Sequence, residues 1–364
     1  MSDILAQIAV GAQNSYFNSS YISKNKWDEE YLRNSLTDKL YDYDESMDFR
    51  EPLTYELQMK GTGTKKVFTI EHTIKDTCEI SDLRLHIKLT DFNSSIRNHI
   101  LNWSIDLNIG GSRVDNMDMI TNLFLCKAMK KKIRETNEEL IIPIILFDVS
   151  SYAKFPLYLL YWHEVSININ TQNEPFELSM FVDKYYIDVD PEKSTRFECA
   201  LCQTQLWKFE NTDELKNIRF EHPTQFMYVV FDSEDIFTQP QLSKIFLHLN
   251  GLEPIRWETY LDEIICVKLF DKIICIVSLI SDIRTIKDIR KMFKEIKHNI
   301  IKTQNKTKFD IPAGINFSRI DKTNISFEFN NSECDNSNVS GRIGVMNLNI
   351  QRFMQGMCEN AFCN

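Results

Sequence analysis

The chain has 364 residues, more than a single hydrophobic core usually supports, so its length predicts two domains. Hydrophobic residues make up 43% of it, with 24 Phe and 13 Tyr, a composition that excludes a disordered protein. Its formal net charge of −10 argues against bulk nucleic-acid binding, because the average surface repels phosphate groups.

Residues 1–50 contain few alternating patterns and an acidic run from Asp38 to Asp48, and we predict that they form an N-terminal arm or an edge-wrapping extension, a kind of segment that often ties neighbouring subunits together. Met1–Val10 carries Asp3 and lacks the basic flank and long apolar centre of a secretory signal. The sequence contains no run of 18 apolar residues, so it does not predict a membrane-spanning helix. Nine scattered cysteines, an odd number without a secretory signal, favour free thiols in a reducing compartment such as the cytosol.

Between residues 51 and 190 the dominant hydrophobic period is two, which is typical of half-buried strands. Apolar and polar residues alternate over 83–89 and again over 103–109. Further strands are predicted at 140–147, 158–170 and 179–188. We therefore predict a first β domain over 51–190.

After Pro191 the alternation stops, and residues 192–205 predict a short helix with proline near its start. We assign 191–215 to a helical linker and 216–364 to a second β domain. Its strands are predicted at 218–220, 226–231, 245–249, 264–270, 325–329 and 344–350. Many short strands in two halves predict sandwiches or jelly rolls, because an antiparallel sheet must cover its apolar face.

One segment of the second half, about 281–305, has a helical period instead. Ile283, Ile286 and Phe293 recur near helical spacing, and lysines and arginines fill the positions between them. We predict an amphipathic helix here. Two interpretations stay open: its basic face contacts a membrane or phosphates, or its apolar face packs on the core with the lysines in water.

The residue patterns that could indicate chemistry favour structural roles. His163 and Glu164 are adjacent, and neighbours on a strand face opposite sides, so they are not predicted to act on one substrate. Cys199 and Cys202 have the spacing of a redox motif, but we interpret them as two thiols one helical turn apart. The histidines His72, His86, His222 and His248 lie far apart in sequence, so no metal site and no cofactor are predicted.

Segments spread in order over most of the chain are similar to one family. The longer ones are QIAVGAQN at 7–14, WSIDLNIGGSRVD at 103–115, FPLYLLYWHEV at 155–165, VDKYYIDVD at 182–190, PAGINFSRID at 312–321 and NIQRFMQGM at 349–357. Shorter matches are HP at 222–223, LHLNG at 247–251 and AFCN at 361–364. Together they resemble the double jelly-roll major capsid proteins of nucleocytoplasmic large DNA viruses.

This resemblance implies an all-β chain of two consecutive antiparallel jelly-roll domains, a double jelly roll, with a few short helices. It implies a capsid structural protein and no enzyme, in which three copies form a pseudo-hexagonal capsomer that tiles an icosahedral shell. The implied partners are the chain itself, neighbouring capsomers and minor capsid proteins, with an internal viral membrane left open and no direct nucleic-acid contact. The implied location is the virion capsid, after assembly in the host cytoplasm.

The motif positions are predicted to be structural: they close turns or hold polar groups through hydrogen bonds and ion pairs. They are Gly11, Ala12, Gln13, Gly110, Gly111, Asp115, His163, Glu164, Asp183, Asp188, Asp190, His222, Pro223, Asn250, Gly251, Asn316, Phe317, Ser318, Arg319, Asp321 and Gly356.

The chain also departs from the family pattern. The stretch between Phe17 and Arg50 has no recognisable counterpart, and a helical pattern over 281–305 stands where strand and loop are usual. These departures leave open a minor capsid protein or a scaffold that shapes a viral membrane. From another class, a glycan-binding or hydrolytic jelly-roll protein also stays open, since it would need clustered carboxylates or aromatic platforms.

Overall fold

The structure is a computed structural model. It describes residues 52–61, 63–72, 78–88, 94–136, 138–146, 154–171, 176–186, 196–232, 242–270, 272–280, 283–303, 314–330, 339–354 and 356–360. The predicted N-terminal arm lies outside these residues, as do the motif positions Gly11, Ala12, Gln13, Asp188 and Asp190.

Strands dominate the described residues. Those of the first part of the chain are β1 (Leu53–Glu56), β2 (Gln58–Lys60), β3 (Lys65–Ile70), β4 (Cys78–Lys88), β5 (Ser104–Ile109), β6 (Ser112–Asp118), β7 (Arg134–Glu135), β8 (Glu139–Pro143), β9 (Val165–Asn170), β10 (Glu177–Tyr186) and β11 (Arg196–Phe209). Those that follow are β12 (Pro223–Phe231), β13 (Leu242–Leu249), β14 (Ile255–Glu258), β15 (Ile264–Leu269), β16 (Lys272–Ser278), β17 (Ile315–Asn316), β18 (Thr323–Phe329), β19 (Gly341–Met354) and β20 (Met357–Asn360). The helices are α1 (Ser94–Leu101), α2 (Met119–Met129) and α3 (Ile286–Thr303).

The chain divides into two compact units. The first unit contains the described residues up to Cys202 together with 293–303 and 349–360, and the second contains the described residues of 203–292 and 314–348. The C-terminal residues 349–360 thus group with the first unit, which differs from the predicted second domain of 216–364. Among the described residues the boundaries fall inside two long strands, β11 and β19, and inside helix α3.

The first unit contains two five-stranded antiparallel sheets, ordered β1-β10-β4-β8-β7 and β2-β3-β9-β5-β6. Alternate side chains are buried along their strands, among them Leu83, Leu85 and Ile87 of β4. The predicted alternation over 83–88 and 103–109 is therefore confirmed. The strand predicted at 158–170 is shorter than expected, because a 3-10 turn at Leu157–Leu159 precedes it and pairing begins only at Val165.

The second unit contains most of a seven-stranded antiparallel sheet, without residues 196–202 of β11, residues 349–354 of β19 and strand β20, and a complete three-stranded antiparallel sheet. The first has the order β11-β19-β12-β16-β15, with β17 beside β12 and β20 beside β19, and the second has the order β14-β13-β18. One buried cluster contains side chains of both sheets, including Val229 and Ile343 of the first and Leu247 and Ile325 of the second. The architecture of two sheets that share a core is the jelly-roll arrangement predicted for this half.

The predicted helix over 192–205, and with it the helical linker 191–215, is wrong where the structure describes it. Residues 196–209 form β11, which pairs within the seven-stranded sheet. Ala200–Thr204 are buried at every position, because both faces of this part of the strand are covered. Alternation is then lost from the sequence, and a strand can be mistaken for a helix.

The helices follow two different patterns. The amphipathic helix predicted at about 281–305 is confirmed as α3, with Ile289, Met292 and Phe293 buried and Lys287 and Lys294 exposed. Helix α2 was not predicted, since nearly all of its residues are buried and it has no polar stripe. Among the described residues, no helix combines the length and the apolar character needed to cross a bilayer.

Glu79 on β4 gives the first unit a pH-dependent stability. Burial raises its pKa from 4.5 to about 7, and Lys154 offsets only part of this shift. Because the folded state holds this proton more tightly than the unfolded state, the contribution is complete below about pH 4.5 and is lost as the pH rises through about 7. We expect the free energy of unfolding to fall by on the order of 3 kcal/mol across that window.

The variant Glu79→Gln tests this prediction by urea unfolding at pH 5 and pH 8. A neutral amide has no proton to lose, so the variant should be more stable than the native chain at pH 8 and differ little at pH 5. The exposed carboxylate of Glu177, on the neighbouring strand β10, provides the control variant Glu177→Gln. Equal pH profiles for the native chain and Glu79→Gln would exclude Glu79 as the source.

Candidate functional site

The first group of motif positions joins Gly110 to His163. Gly110 has φ +59°, and a Cβ atom there would lie 2.6 Å from the Cγ of His163. Only glycine therefore allows the imidazole to pack against this turn. The backbone N–H of Gly110 also donates to the carbonyl of Glu164 at 2.9 Å. Gly111, with φ +81°, has open space around it, so its role is the conformation of the turn.

His163 also holds the C-terminal motif. Its Nδ1 accepts a hydrogen bond from the backbone N–H of Cys358 at 3.1 Å, across 195 residues of sequence. Gly356 has φ +83°, and its Cβ would lie 2.4 Å from the Tyr161 ring and 2.6 Å from the Trp162 ring. The N–H of Trp162 donates to the carbonyl of Gly356 at 3.0 Å. These contacts hold the motif segment 155–165 against the C-terminal motif segment.

Glu164 does not share a site with His163. Its side chain is exposed, and its Oε1 accepts from the hydroxyl of Thr69 at 3.3 Å. The two residues precede β9 and are not part of it. That they do not act together on a substrate stays a prediction.

The second group brings His222 and Pro223 to the 312–321 motif. The backbone N–H of His222 donates to the Ser318 hydroxyl at 2.9 Å, and that of Phe317 donates to the His222 carbonyl at 3.1 Å. Pro223 pairs with Asn316, whose side chain accepts from the N–H of Ser318 at 3.1 Å. His222 is buried with φ +63°, and its burial lowers the pKa of the imidazole. This group ties β12 to β17.

The third group is the turn after β13. Asn250 has φ +50°, and its side-chain oxygen accepts from the N–H groups of Asp321 and Lys322 at 3.0 and 2.9 Å. Gly251 continues the turn with φ +75°. Arg319 and Asp321 are exposed, so it is the backbone of Asp321, held by Asn250, that fixes this corner.

Two aspartates of the motifs are buried in the first unit. Asp183, at a β-bulge of β10, forms an ion pair with Arg84 and accepts from the Thr54 hydroxyl at 2.7 Å. Asp115 accepts from the N–H of Asn116 at 2.9 Å. The contacts of Asp183 follow the rule that buried polar groups are hydrogen-bonded, whereas Oδ1 alone of the two carboxylate oxygens of Asp115 has a hydrogen-bond partner among the described residues.

Three further histidines each contact a polar neighbour within hydrogen-bonding distance. His72 contacts the carbonyl of Leu160 at 2.5 Å, His86 contacts Glu139 at 2.6 Å, and His248 contacts Ser326 at 3.3 Å. In the part of the chain that the structure describes, no three His, Cys, Asp or Glu side chains come together as metal ligands. Cys202 lies on a strand and not on the predicted helix, and burial raises the pKa of its thiol.

A shallow cleft of about 340 Å³ lies on the second unit. It is lined by Thr212, Lys216, His248, Asn324, Ile325, Ser326 and Phe327. None of these described residues carries a carboxylate, so this cleft does not offer the acid pair that glycoside hydrolysis needs.

An exposed apolar surface, which we call the Trp162 surface, consists of Trp162, Met354 and Met357. Trp162 is 67% exposed, and the two methionines are 38% and 44% exposed. Met354 and Met357 are paired where β19 turns into β20, and Gly356 between them touches the Trp162 ring. Exposed clusters of large apolar side chains mark interaction sites. The sequence analysis did not predict this surface, because exposure of single apolar residues leaves no periodic signal.

Comparisons with known proteins identify the fold. No protein-family model matches the chain, and a search of curated proteins finds no match. Among solved structures, PBCV-1 VP54, as fitted into a cryo-EM reconstruction of the virophage Sputnik, has a TM-score of 0.59 at 14% sequence identity and covers 86% of this chain and 97% of its own. A chain of the PBCV-1 virus capsid has a TM-score of 0.57 at 15% identity, with the same two coverages. The predicted fold class, a double jelly roll, is confirmed.

Proposed function

We propose that this double jelly-roll chain is a structural protein of a viral capsid. The observation that carries the proposal is the similarity to PBCV-1 VP54, which extends over 86% of this chain and 97% of that one. Correspondence over both complete jelly rolls, and not over one sheet, favours a building block of the same kind. The motif contacts support it, since the positions Gly110, His163, His222, Asn250 and Gly356 are all engaged in holding turns.

In the proposed assembly, three copies form a pseudo-hexagonal capsomer that tiles an icosahedral shell. Cyclic symmetry closes such a contact, so that each subunit presents one surface and receives another. The proposed partners are further copies of the chain, neighbouring capsomers and minor capsid proteins. The proposed location is the virion, after assembly in the host cytoplasm. The protein then works through contacts between subunits, and no catalytic step is proposed.

Light scattering on the purified full chain tests the oligomeric state. Three copies of the 42.9 kDa chain should give a particle of about 129 kDa. Negative-stain images of that peak should have a hexagonal outline. A stable monomer of 42.9 kDa at micromolar concentration would contradict the self-assembling capsomer and favour a chain that needs other partners.

We assign the Trp162 surface to contacts between copies of the chain. Large aromatic side chains supply most of the binding energy at such contacts, and a central tryptophan often contributes about 2 kcal/mol or more. The variant Trp162→Ala should therefore weaken self-association about 30-fold, as measured by sedimentation over a range of concentrations.

The conservative variant Trp162→Phe keeps an aromatic ring, so its self-association should be weakened much less. A second control is Lys88→Ala, which removes an exposed side chain from the outer end of β4. If Trp162→Ala associates as tightly as the native chain, this surface is not a subunit contact, and the assembly must use another face.

A further inference from the structure

Two cysteines face each other across the β15–β16 hairpin. Cys266 and Cys275 are register partners on these neighbouring antiparallel strands, and their Sγ atoms are 3.5 Å apart. The register ends at the pair Leu269–Lys272, which encloses a two-residue loop. Pairs alternate outward from such a loop between hydrogen-bonded and non-hydrogen-bonded, so the cysteines should form a non-hydrogen-bonded pair with Cα atoms about 4.5 Å apart. That separation lies within the range of disulfides.

The two thiols differ in environment. Cys266 is exposed on β15, the edge strand of the seven-stranded sheet, whereas Cys275 is buried in the core of the second unit. A hydrogen bond from the Cys275 thiol lowers the pKa of Cys266, while that bond and burial raise the pKa of Cys275. The exposed sulfur is thus the one that becomes a thiolate and meets a reagent from solution first, and the buried sulfur keeps its proton.

We propose that Cys266 and Cys275 are a thiol–disulfide site that closes into a cross-strand disulfide when it meets a low-molecular-weight disulfide. The Cys266 thiolate attacks one sulfur of the reagent, whose S–S bond breaks and releases one thiolate. Cys275 then gives its proton to water and attacks the Cys266 sulfur, which expels the second half of the reagent as a thiolate. The two protein thiols lose two electrons in total, and the reagent is reduced to two thiols.

The consequence is a covalent link at an open sheet edge. The closed loop runs from Cys266 to Cys275, and cross-linking such a loop restricts the unfolded chain. In the capsid role proposed above, on which the timing of closure rests, the pair stays reduced in the reducing cytosol and closes once a virion reaches an oxidising exterior. The bond would then fix the edge hairpin after assembly is complete.

The test uses the purified full chain under native conditions, with glutathione disulfide as the oxidant. Non-reducing peptide mass spectrometry should find the peptides of Cys266 and Cys275 joined, and the melting transition of the second unit should rise by about 5 °C. Addition of dithiothreitol should reverse both changes. The variant Cys266→Ser keeps the buried thiol and should show neither change.

A second variant, Cys275→Ala, keeps the exposed thiol and should hold one glutathione on Cys266. Persistence of that mixed disulfide in the native chain would overturn the proposal, because Cys275 would then be unable to complete the exchange. Two free thiols after oxidant treatment would overturn it as well. Mass spectrometry reads the covalent state of the two cysteines, which does not depend on whether the chain forms capsomers.

Discussion

Replacement of Gly314 by alanine should lower the free energy of unfolding of the second unit by about 4 kcal/mol. Gly314 has φ +67°, a conformation that is costly for any residue with a Cβ atom. Its Cβ would also lie 1.9 Å from the backbone carbonyl oxygen of Thr224. That oxygen belongs to β12, a strand buried along its whole length, so it cannot move aside. The free-energy cost of the strained backbone and the cost of the steric overlap with Thr224 therefore add.

Gly251→Ala is the matched control for this variant. Gly251 has nearly the same backbone conformation, φ +75°, but no atom lies within 4 Å of its added Cβ. It should lose only the conformational part, about 1–2 kcal/mol. Urea unfolding at a fixed protein concentration measures both variants, because association would otherwise change the apparent stability. Equal losses of free energy of unfolding in the two variants would show that the Thr224 carbonyl moves aside. The close approach of Gly314 to β12 would then not constrain the residue at position 314.

The variant Trp103→Ala should destabilise the first unit by about 4 kcal/mol. Trp103 is completely buried at the start of β5, and its ring packs edge-on against Phe176 with centroids 4.9 Å apart. Its carbonyl accepts from the N–H of Met119 at 2.9 Å, so the backbone around the ring is held by the first turn of α2. The surroundings cannot collapse fully into the space that the indole leaves, and a cavity adds to the lost burial.

The exposed residue Trp162 makes Trp162→Ala the matched control for stability. The same change of side chain at a position 67% exposed should alter the free energy of unfolding by less than about 0.5 kcal/mol. Differential scanning calorimetry at a protein concentration low enough to keep the chain monomeric compares the two variants without relying on tryptophan fluorescence. A large loss for Trp162→Ala in the monomeric chain would mean that its ring stabilises the fold, and its assignment to subunit contacts would fail.

The motif positions have a common physical role. Gly110, Gly314 and Gly356 each combine a positive φ with a neighbour too close for a Cβ atom, and each neighbour lies in another motif or strand. Asn250 and His163 satisfy backbone N–H groups that come from distant parts of the sequence. These residues specify how the strands are joined at their ends. Their architectural role stays a prediction, and these contacts give it a physical basis.

Hydrophobic periodicity in the sequence correctly predicted the strands and the helix that have one face in contact with solvent. The alternating residues of β4 and β5 and the helical spacing of α3 predicted their structures correctly, because one side of each contacts water and leaves a polar stripe. The same rule failed for β11 and α2. Residues 200–204 of β11 and nearly all residues of α2 are buried, so these sequences carry no period from which to distinguish strand from helix.

The sequence by itself thus determined the all-β class, the two-part organisation and, through ordered motifs, the double jelly-roll fold. Only the tertiary structure decided which motifs meet: His163 with the C-terminal turn, His222 with Ser318, and Asn250 with the backbone of Asp321. It also decided that Trp162 is exposed and that the two hairpin cysteines face each other. Local patterns depend on which residues are buried, whereas these contacts join segments up to 195 residues apart, whose proximity is set by sheet pairing and register.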